Sequence, residues 1–248
     1  LDLQVKMLTD HLDSHGILQD TIIIVTSDNG GLNHSSSGLS ATQDKPDVSL
    51  DVGHDTSGPF RSAKSSAYEG GHRVPFLIRW GDGTAANSAI PPGTVCEQLI
   101  SQTDLFATFA TLLDKPQGPG QGLESTNILP YFLGEHSRVL KTANMTTNQP
   151  GGTSRIHLQS GDWKISADVT GSSQSYTAAS VSEMYHLATD MGENNDLAGS
   201  PTYATVESAL LAELNNMAGN SRSTPAQDSD TDGLFDSWEL ETAGNLTT

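Results

Sequence analysis

Leu1, Val5, Leu8 and Leu12 recur at spacings of four, three and four, the repeat of one helix face. Gly16 stands where a helix ending near His15 takes its left-handed terminating residue. After Asp20 and Thr21 the pattern changes to the unbroken run Ile22-Ile23-Ile24-Val25-Thr26. Continuous branched apolar side chains suit a strand covered on both faces, as in a parallel sheet. Helix, short loop and buried strand therefore read as half of an α/β unit. The chain opens inside this helical repeat with no initiator Met, which is expected of a fragment. The strand ends on Ser27-Asp28-Asn29-Gly30-Gly31, a tight turn or loop by composition.

Residues 32–63 are poor in apolar side chains and read as a long irregular loop, of a length that is functional or disordered inside a compact domain. Val74–Trp80 reads as a second strand and Cys96–Ile100 as a short one. Thr103 can cap a helix from Asp104 to about Leu113, with Leu105, Phe106, Phe109, Leu112 and Leu113 inward. Residues 114–150 read as mostly loop. Ile156-His157-Leu158, Ser160-Gly161-Asp162 and Trp163-Lys164-Ile165 then form the pattern of a β-hairpin. Glu183–Leu187 reads as another short strand, and Thr205–Met217 as an amphipathic helix with Val206, Leu210, Leu211 and Leu214 on one side. The expected division is an α/β core portion over 1–150, a small α+β subdomain over 151–220, a linker over 221–227 and an acidic segment over 228–248.

A chain of 248 residues can bury one sizeable core, or one core and a small module. Its net charge of −18, from 30 acids against 12 Lys and Arg, repels nucleic acid and anionic membranes. The same surface fits a protein that collects divalent cations, or one from a salt-rich habitat. With Cys96 as the single cysteine no intrachain disulfide forms, and the redox compartment stays open. No apolar run approaches the ~20 residues of a spanning helix.

Two stretches point to chemistry. Asp28-Asn29-Gly30 sets a carboxylate and an amide oxygen at the end of a buried strand, where open α/β folds place ligands. Oxygen ligands of this kind suit Ca²⁺ or Mg²⁺, although Asn-Gly is also an ordinary turn signal. In Gly58-Pro59-Phe60-Arg61-Ser62-Ala63-Lys64, the Lys64 ammonium can hold an anionic oxygen as a point charge, or can be a solvated surface lysine. Tyr68-Glu69-Gly70-Gly71-His72-Arg73-Val74-Pro75 follows, its Gly pair letting the backbone turn sharply into the next strand. His54, in the polar loop before Lys64, is a candidate substrate contact, and His72 reads as structural.

The order strand, Asp-Asn-Gly, loop, Lys64, Tyr-Glu-Gly-Gly, Arg-Val-Pro and apolar strand resembles the sulfatase family. The resemblance continues through Asp104–Thr108, Ile128–Gly134, Gly161-Asp162-Trp163-Lys164, and Glu183–Leu187 with Asp190, Glu193, Asn195 and Leu197, so it spans about residues 1–217. It implies the α/β fold of the alkaline-phosphatase superfamily: a mixed sheet flanked by helices, its N-terminal part missing here, with a small antiparallel-sheet-plus-helix C-terminal subdomain. It implies that Asp28 and Asn29 are ligands of one divalent metal, usually Ca²⁺, and that Lys64 contacts the sulfate group. Metal and ammonium would polarise the sulfuryl oxygens and offset developing charge. The family's nucleophile, a formylglycine made from Cys or Ser in a Cys/Ser-x-Pro/Ala-x-Arg motif, lies before Asp-Asn-Gly and has no counterpart here. Ser57-Gly58-Pro59-Phe60-Arg61 fits that short pattern but stands in the wrong place. Cys96 lacks the pattern and reads as a small core residue. Where the family has Arg-Gly-x-Lys, this chain has Arg61-Ser62-Ala63-Lys64.

The C-terminal stretch is a separate signal. Asp228, Asp230, Asp232, Leu234, Asp236 and Glu239 fall at positions one, three, five, seven, nine and twelve of a loop with Gly233 at six, the EF-hand-type spacing for Ca²⁺. It also resembles thrombospondin type 3 calcium repeats; the alternative is a plain acidic tail. The function expected is hydrolysis of sulfate esters, on a sulfated carbohydrate or aryl sulfate, in the periplasm or outside the cell, the fragment itself being inactive. Alternatives are a phosphoester or phosphonate hydrolase of the same superfamily, and a non-catalytic calcium-binding surface protein with a sulfatase-like domain.

Overall fold

The computed structural model describes residues 1–31, 56–115, 117, 118, 121–148, 155–172, 175–178 and 180–220. Helix α1, Asp2–Ser14, ends through the backbone N–H groups of the His15 turn and Gly16 at φ 67°, as the sequence indicates. Among the described residues its apolar stripe is only partly covered: Val5 and Leu12 are half-buried, no α1 residue is fully buried, and Leu1, Leu3, Met7 and Leu8 stand exposed. Strand β1, Ile22–Thr26, is followed by the single-turn helix α2, Glu69–His72, and strand β2, Phe76–Trp80.

β1 pairs with β2 antiparallel, from Ile22 opposite Trp80 to Thr26 opposite Phe76. Here the expectation of a mixed sheet with a doubly covered parallel strand is corrected. Every strand pair among the described residues is antiparallel, and of β1 only Ile23 is buried. A branched apolar run marks a strand, but its burial depends on neighbours, and within the described residues β1 has only β2.

Helix α3, Asp104–Leu112, starts as expected, but Thr103 makes no side-chain cap. The Asp104 carboxylate ties the helix start to its surroundings, accepting from the Ser101 N–H at 2.7 Å and the Thr126 N–H at 2.9 Å and pairing with the Lys141 ammonium at 2.7 Å. The buried face is Asp104, Ala107 and Thr108, whereas Phe106 and Leu113, expected inward, are exposed. Cys96–Ile100 is not a strand. Cys96 and Ile100 pack as coil against Ile90, Ile128, Tyr131 and Phe132, the last two on the short helix α4, Leu129–Phe132.

The second sheet contains β3, Ala143–Asn148, β4, Arg155–Ser160, β5, Trp163–Ser172, β6, Ser175–Ala178, and β7, Glu183–His186. Its order is β3-β4-β5-β6, with β7 also on β5, and every pair is antiparallel. The hairpin β4–β5 and strand β7 agree with the sequence reading. β3 does not, since it lies in the stretch read as loop. Its residues, Ala-Asn-Met-Thr-Thr-Asn, show little apolar contrast, and only the register with β4 makes them a strand. Helix α5, Ala204–Asn220, closes one face, where Leu210, Leu214 and Ala218 cover Ile156, Leu158, Ile165, Ala167 and Met184.

Candidate active site

Two backbone hydrogen bonds assemble the cleft. The Gly30 N–H donates to the Gly71 carbonyl at 2.9 Å, and the Lys64 N–H donates to the Gly31 carbonyl at 2.8 Å. Asp28-Asn29-Gly30-Gly31, at the end of β1, is thereby joined to the Lys64 segment and to the Gly70-Gly71 turn. Glycine is required at this seam by close approach. A Cβ on Gly30 would overlap the Gly70 carbonyl oxygen, and one on Gly71 would overlap that of Ser66.

Asp28 is exposed and Asn29 half-buried. The Asn29 side-chain Nδ2 donates to the Gly30 carbonyl at 2.9 Å, so its Oδ1 is the atom left for a cation. The Asp28 carboxylate has no hydrogen bond or ion pair among the described residues. Those two oxygens suit part of a hard-cation shell, which takes six or more. Among the described residues no group of three or more His, Cys, Asp or Glu stands ready to complete it.

Lys64 is half-buried, and among the described residues its ammonium has no carboxylate partner. The segment that presents it is bent by two residues in the left-handed region, Ser62 at φ 65° and Ser65 at φ 70°. A side chain at such a position is strained, by about 1–2 kcal/mol per residue. Ser62 occupies the place of the family's glycine, which explains why a glycine suits Arg-Gly-x-Lys.

Behind this seam lies an ionic cluster that the sequence reading did not single out as functional. The Lys164 ammonium, 1% exposed, is 2.8 Å from Glu69 Oε1 and 2.8 Å from Glu193 Oε1. Glu193 Oε2 accepts the Glu69 N–H at 2.6 Å, and Glu69 Oε2 pairs with Arg73 at 2.6 Å. Arg61 donates to the Glu193 carbonyl at 2.9 Å and to the Tyr185 hydroxyl at 3.0 Å, and its guanidinium lies 3.8 Å from the centre of the Tyr68 ring. The Tyr68 and Tyr185 hydroxyls both donate to the Glu183 carboxylate, at 3.0 and 3.2 Å. The motif Tyr68-Glu69-Gly70-Gly71 is thus an anchor: Tyr68 and Glu69 grip the second sheet, and the glycines meet Gly30.

Burial dominates the titration of this cluster. It raises Glu193, outweighing the opposing Lys164 charge. It would also raise Glu69, but Lys164 and Arg73 together hold that carboxyl below its ordinary value. Burial, then Lys164, lowers His72 to about 4 and His157 to about 3, so both imidazoles are neutral. Burial, then Glu183, pushes Tyr68 up to about 12.

Of the site residues read from sequence, Asp28, Asn29 and Lys64 are brought to one glycine seam. His54 lies outside the described residues, as do Asp228, Asp230, Asp232, Leu234, Asp236 and Glu239 of the calcium loop. In the Ser57–Arg61 decoy, Arg61 is committed to Glu193 and Tyr185. Cys96 is a half-buried packing residue. Glu69, Lys164 and Glu193 left one signal in the sequence, their place in stretches that resemble the family, and none of them announces a buried ion cluster by residue type.

The family model described as Sulfatase matches residues 1–115. The N-acetylgalactosamine-6-O-sulfatase of Bacteroides thetaiotaomicron is 29% identical over 204 residues, 80% of this chain and 37% of that protein. Human arylsulfatase A is 28% identical over 221 residues, 84% of this chain and 39% of that protein. The crystal structure of Ps i-CgsB in complex with k-i-k-neocarrahexaose has a TM-score of 0.64 at 23% identity, over 89% of this chain and 41% of that one, a likeness of fold. The chain spans about two fifths of the length of these relatives. Strand, Asp-Asn-Gly seam, lysine and Tyr-Glu-Gly-Gly anchor all fall inside residues 1–115, the stretch that is similar to the sulfatase family.

Proposed function

We propose that the protein serves in the metal-dependent hydrolysis of sulfate esters, with a sulfated carbohydrate as substrate. The observation that supports this is the pair of hydrogen bonds, Gly30 to Gly71 and Lys64 to Gly31, that sets Asp28, Asn29 and Lys64 on one seam. In this reading Asp28 Oδ and Asn29 Oδ1 are two ligands of Ca²⁺, or of Mg²⁺ in its place. When bound, the cation supplies Lewis-acid polarisation of a sulfuryl oxygen. Lys64 holds a second sulfuryl oxygen through its ammonium, favouring the charge that grows as the ester bond breaks. The glycine seam keeps these groups in register, and the clamp of Glu69, Lys164 and Glu193 holds the seam.

The carbohydrate substrate is supported by the names of two relatives, the N-acetylgalactosamine-6-O-sulfatase and Ps i-CgsB with its bound neocarrahexaose. Action outside the cytoplasm, a formylglycine nucleophile and a substrate contact at His54 belong to the same proposal. Residues 228–239 are proposed as a Ca²⁺ loop on their ligand spacing alone. No described helix is long and apolar enough to cross a membrane.

The test measures sulfate release from an activated aryl sulfate and from a 6-O-sulfated N-acetylgalactosamine oligosaccharide. It compares the 248-residue chain with a polypeptide that also supplies a formylglycine segment. No turnover is expected from the chain alone. Turnover is expected from the longer polypeptide, and Lys64→Ala should lower it by about 10²-fold or more. Release of phosphate from the matching phosphoester, and not sulfate, would favour the phosphoester hydrolase. Activity toward neither, with Ca²⁺ binding retained, would favour a non-catalytic protein.

A further inference from the structure

We propose that Glu193 is the positioning residue of the candidate cleft: it ties the Lys64 segment and the Tyr68–Gly71 anchor to the second sheet, and thereby sets the seam that presents Asp28, Asn29 and Lys64. The importance of the cleft rests on the function proposed above; the mechanical claim does not.

Glu193 is 0% exposed and sits at φ 52°, a left-handed conformation that glycine would adopt without strain. The position nevertheless holds a carboxylate, and its three oxygens each face a different segment. Oε1 faces the Lys164 ammonium of β5 at 2.8 Å. Oε2 accepts the N–H of Glu69, the first residue of α2, at 2.6 Å. The carbonyl oxygen accepts from Arg61, three residues before Lys64, at 2.9 Å.

From these ties the path to the cleft is short and made of backbone. The Gly70 N–H donates to the Arg61 carbonyl at 2.8 Å, closing Arg61 and Glu69 into one unit around Glu193. Gly71 then accepts from the Gly30 N–H, and Lys64 donates to Gly31. Glu193 therefore bonds two residues before Gly71 and three before Lys64, and it is linked to the seam through groups that have little freedom to readjust. Gly70 and Gly71 are packed too closely on the carbonyls of Ser62 and Ser66 to shift alone. The apolar core of the second sheet lies on its other face, under α5, and does not depend on these contacts.

This separation gives a test that distinguishes positioning from general support. Amide hydrogen exchange is followed residue by residue in the full 248-residue chain, wild type against Glu193→Gln. Gln keeps the shape and one acceptor oxygen but loses the charge that faces Lys164. The amides of Gly30 and Lys64 are expected to exchange at least about tenfold faster, and those of the β4–β5 ladder less than about twofold faster. Equal acceleration at both places makes Glu193 merely structural and overturns the proposal, as does no acceleration at Gly30 and Lys64. Should Glu193→Gln fail to fold, Arg61→Met cuts the tie to the Glu193 carbonyl, together with the Arg61 contacts to Tyr185 and Tyr68, and leaves the Glu193 carboxylate with Lys164 and the Glu69 N–H. It must still speed exchange at Lys64 by about threefold or more, and an unchanged rate overturns the proposal. In a catalytically competent polypeptide, Glu193→Gln should raise KM more than it lowers kcat. If the wild-type polypeptide shows no turnover, the functional reading fails while the exchange result still decides this one.

Discussion

The second sheet has two buried faces of opposite chemistry. Under α5 lie Ile156, Leu158, Ile165, Ala167 and Met184, an ordinary apolar core. On the other side of the same strands, His157, Lys164, Ser166 and Tyr185 are just as buried, yet they are polar: Lys164 pairs with Glu69, the Tyr185 hydroxyl accepts from Arg61, and His157 and Ser166 hydrogen-bond to each other. The apolar face tolerates exchange of one aliphatic group for another, because dispersion and burial have no direction. The ionic face does not: each bond has one geometry, and a buried charge that loses its partner is costly. A non-directional face suffices to hold a helix. A directional face can also dictate where a neighbouring loop sits, and here that loop bears the cleft.

The sharpest break in this comparison is Lys164→Met. It leaves the Glu69 and Glu193 carboxylates buried side by side and should cost about 3–5 kcal/mol in denaturant unfolding. Leu214→Ala on the apolar face should cost about 2–5 kcal/mol by opening a cavity, without moving the amides of Gly30 or Lys64. If Lys164→Met costs no more than about 1 kcal/mol, the ionic face is not what holds the halves together.

Acid should attack the ionic face selectively. His72 and His157 have folded pKa values near 4 and 3, below the 6.5 of the free side chain. Between those values the unfolded chain binds more protons, so stability rises with pH. It is fully present above about pH 6.5 and is lost as pH falls toward 4 and then 3, by on the order of a few kcal/mol. Glu69, held low by its cations, adds to the loss at the acid end, and the raised Glu193 opposes it. Unfolding midpoints between pH 7 and 4 measure this slope. His157→Phe should flatten it, and an unchanged slope would remove His157 from the account.

Two smaller changes test the seam. Gly30→Ala forces a Cβ into the Gly70 carbonyl and should cost about 1–3 kcal/mol, with loss of protection at Gly30 and Lys64. Ser62→Gly removes the strain at φ 65°. Set against the greater freedom of an unfolded glycine, the net gain should be about 0.5–1 kcal/mol in thermal or denaturant unfolding. Destabilisation instead would show that the Ser62 side chain contributes more than its backbone strain costs.

How much of this was legible beforehand differs between the faces in the same way. Ile156-His157-Leu158 and Trp163-Lys164-Ile165-Ser166-Ala167 alternate apolar and polar, a pattern that reads as one buried and one solvated face. It located β4 and β5 correctly and foretold the face under α5. It could not tell that the polar side is also buried, since a lysine that meets two glutamates and one that meets water have the same letter. β3 was missed for a related reason: its side chains show no contrast, and its hydrogen bonds come from β4. Asp28, Asn29 and Lys64 are candidates by residue type, and their roles come from the resemblance that runs over about residues 1–217. Their meeting at the Gly30–Gly71 and Lys64–Gly31 bonds was not visible in any single stretch.

By itself the sequence determined the local events of this protein. It set the end of α1 at His15 and Gly16, strand β1, the start of α3, the β4–β5 hairpin and the helix from Ala204, because turn chemistry, branching and periodicity act over a few residues. It also determined the residue types of the candidate cleft. Only the tertiary structure decided that β1 pairs antiparallel with β2, that Asp104 is buried against Lys141 and the Thr126 N–H, and that Glu69, Lys164 and Glu193 form one buried cluster. Glu69 and Lys164 are 95 residues apart, and Glu69 and Glu193 are 124. Whether such charges are paired or solvated depends on what surrounds them, and desolvation belongs to the packed chain and not to any stretch of it.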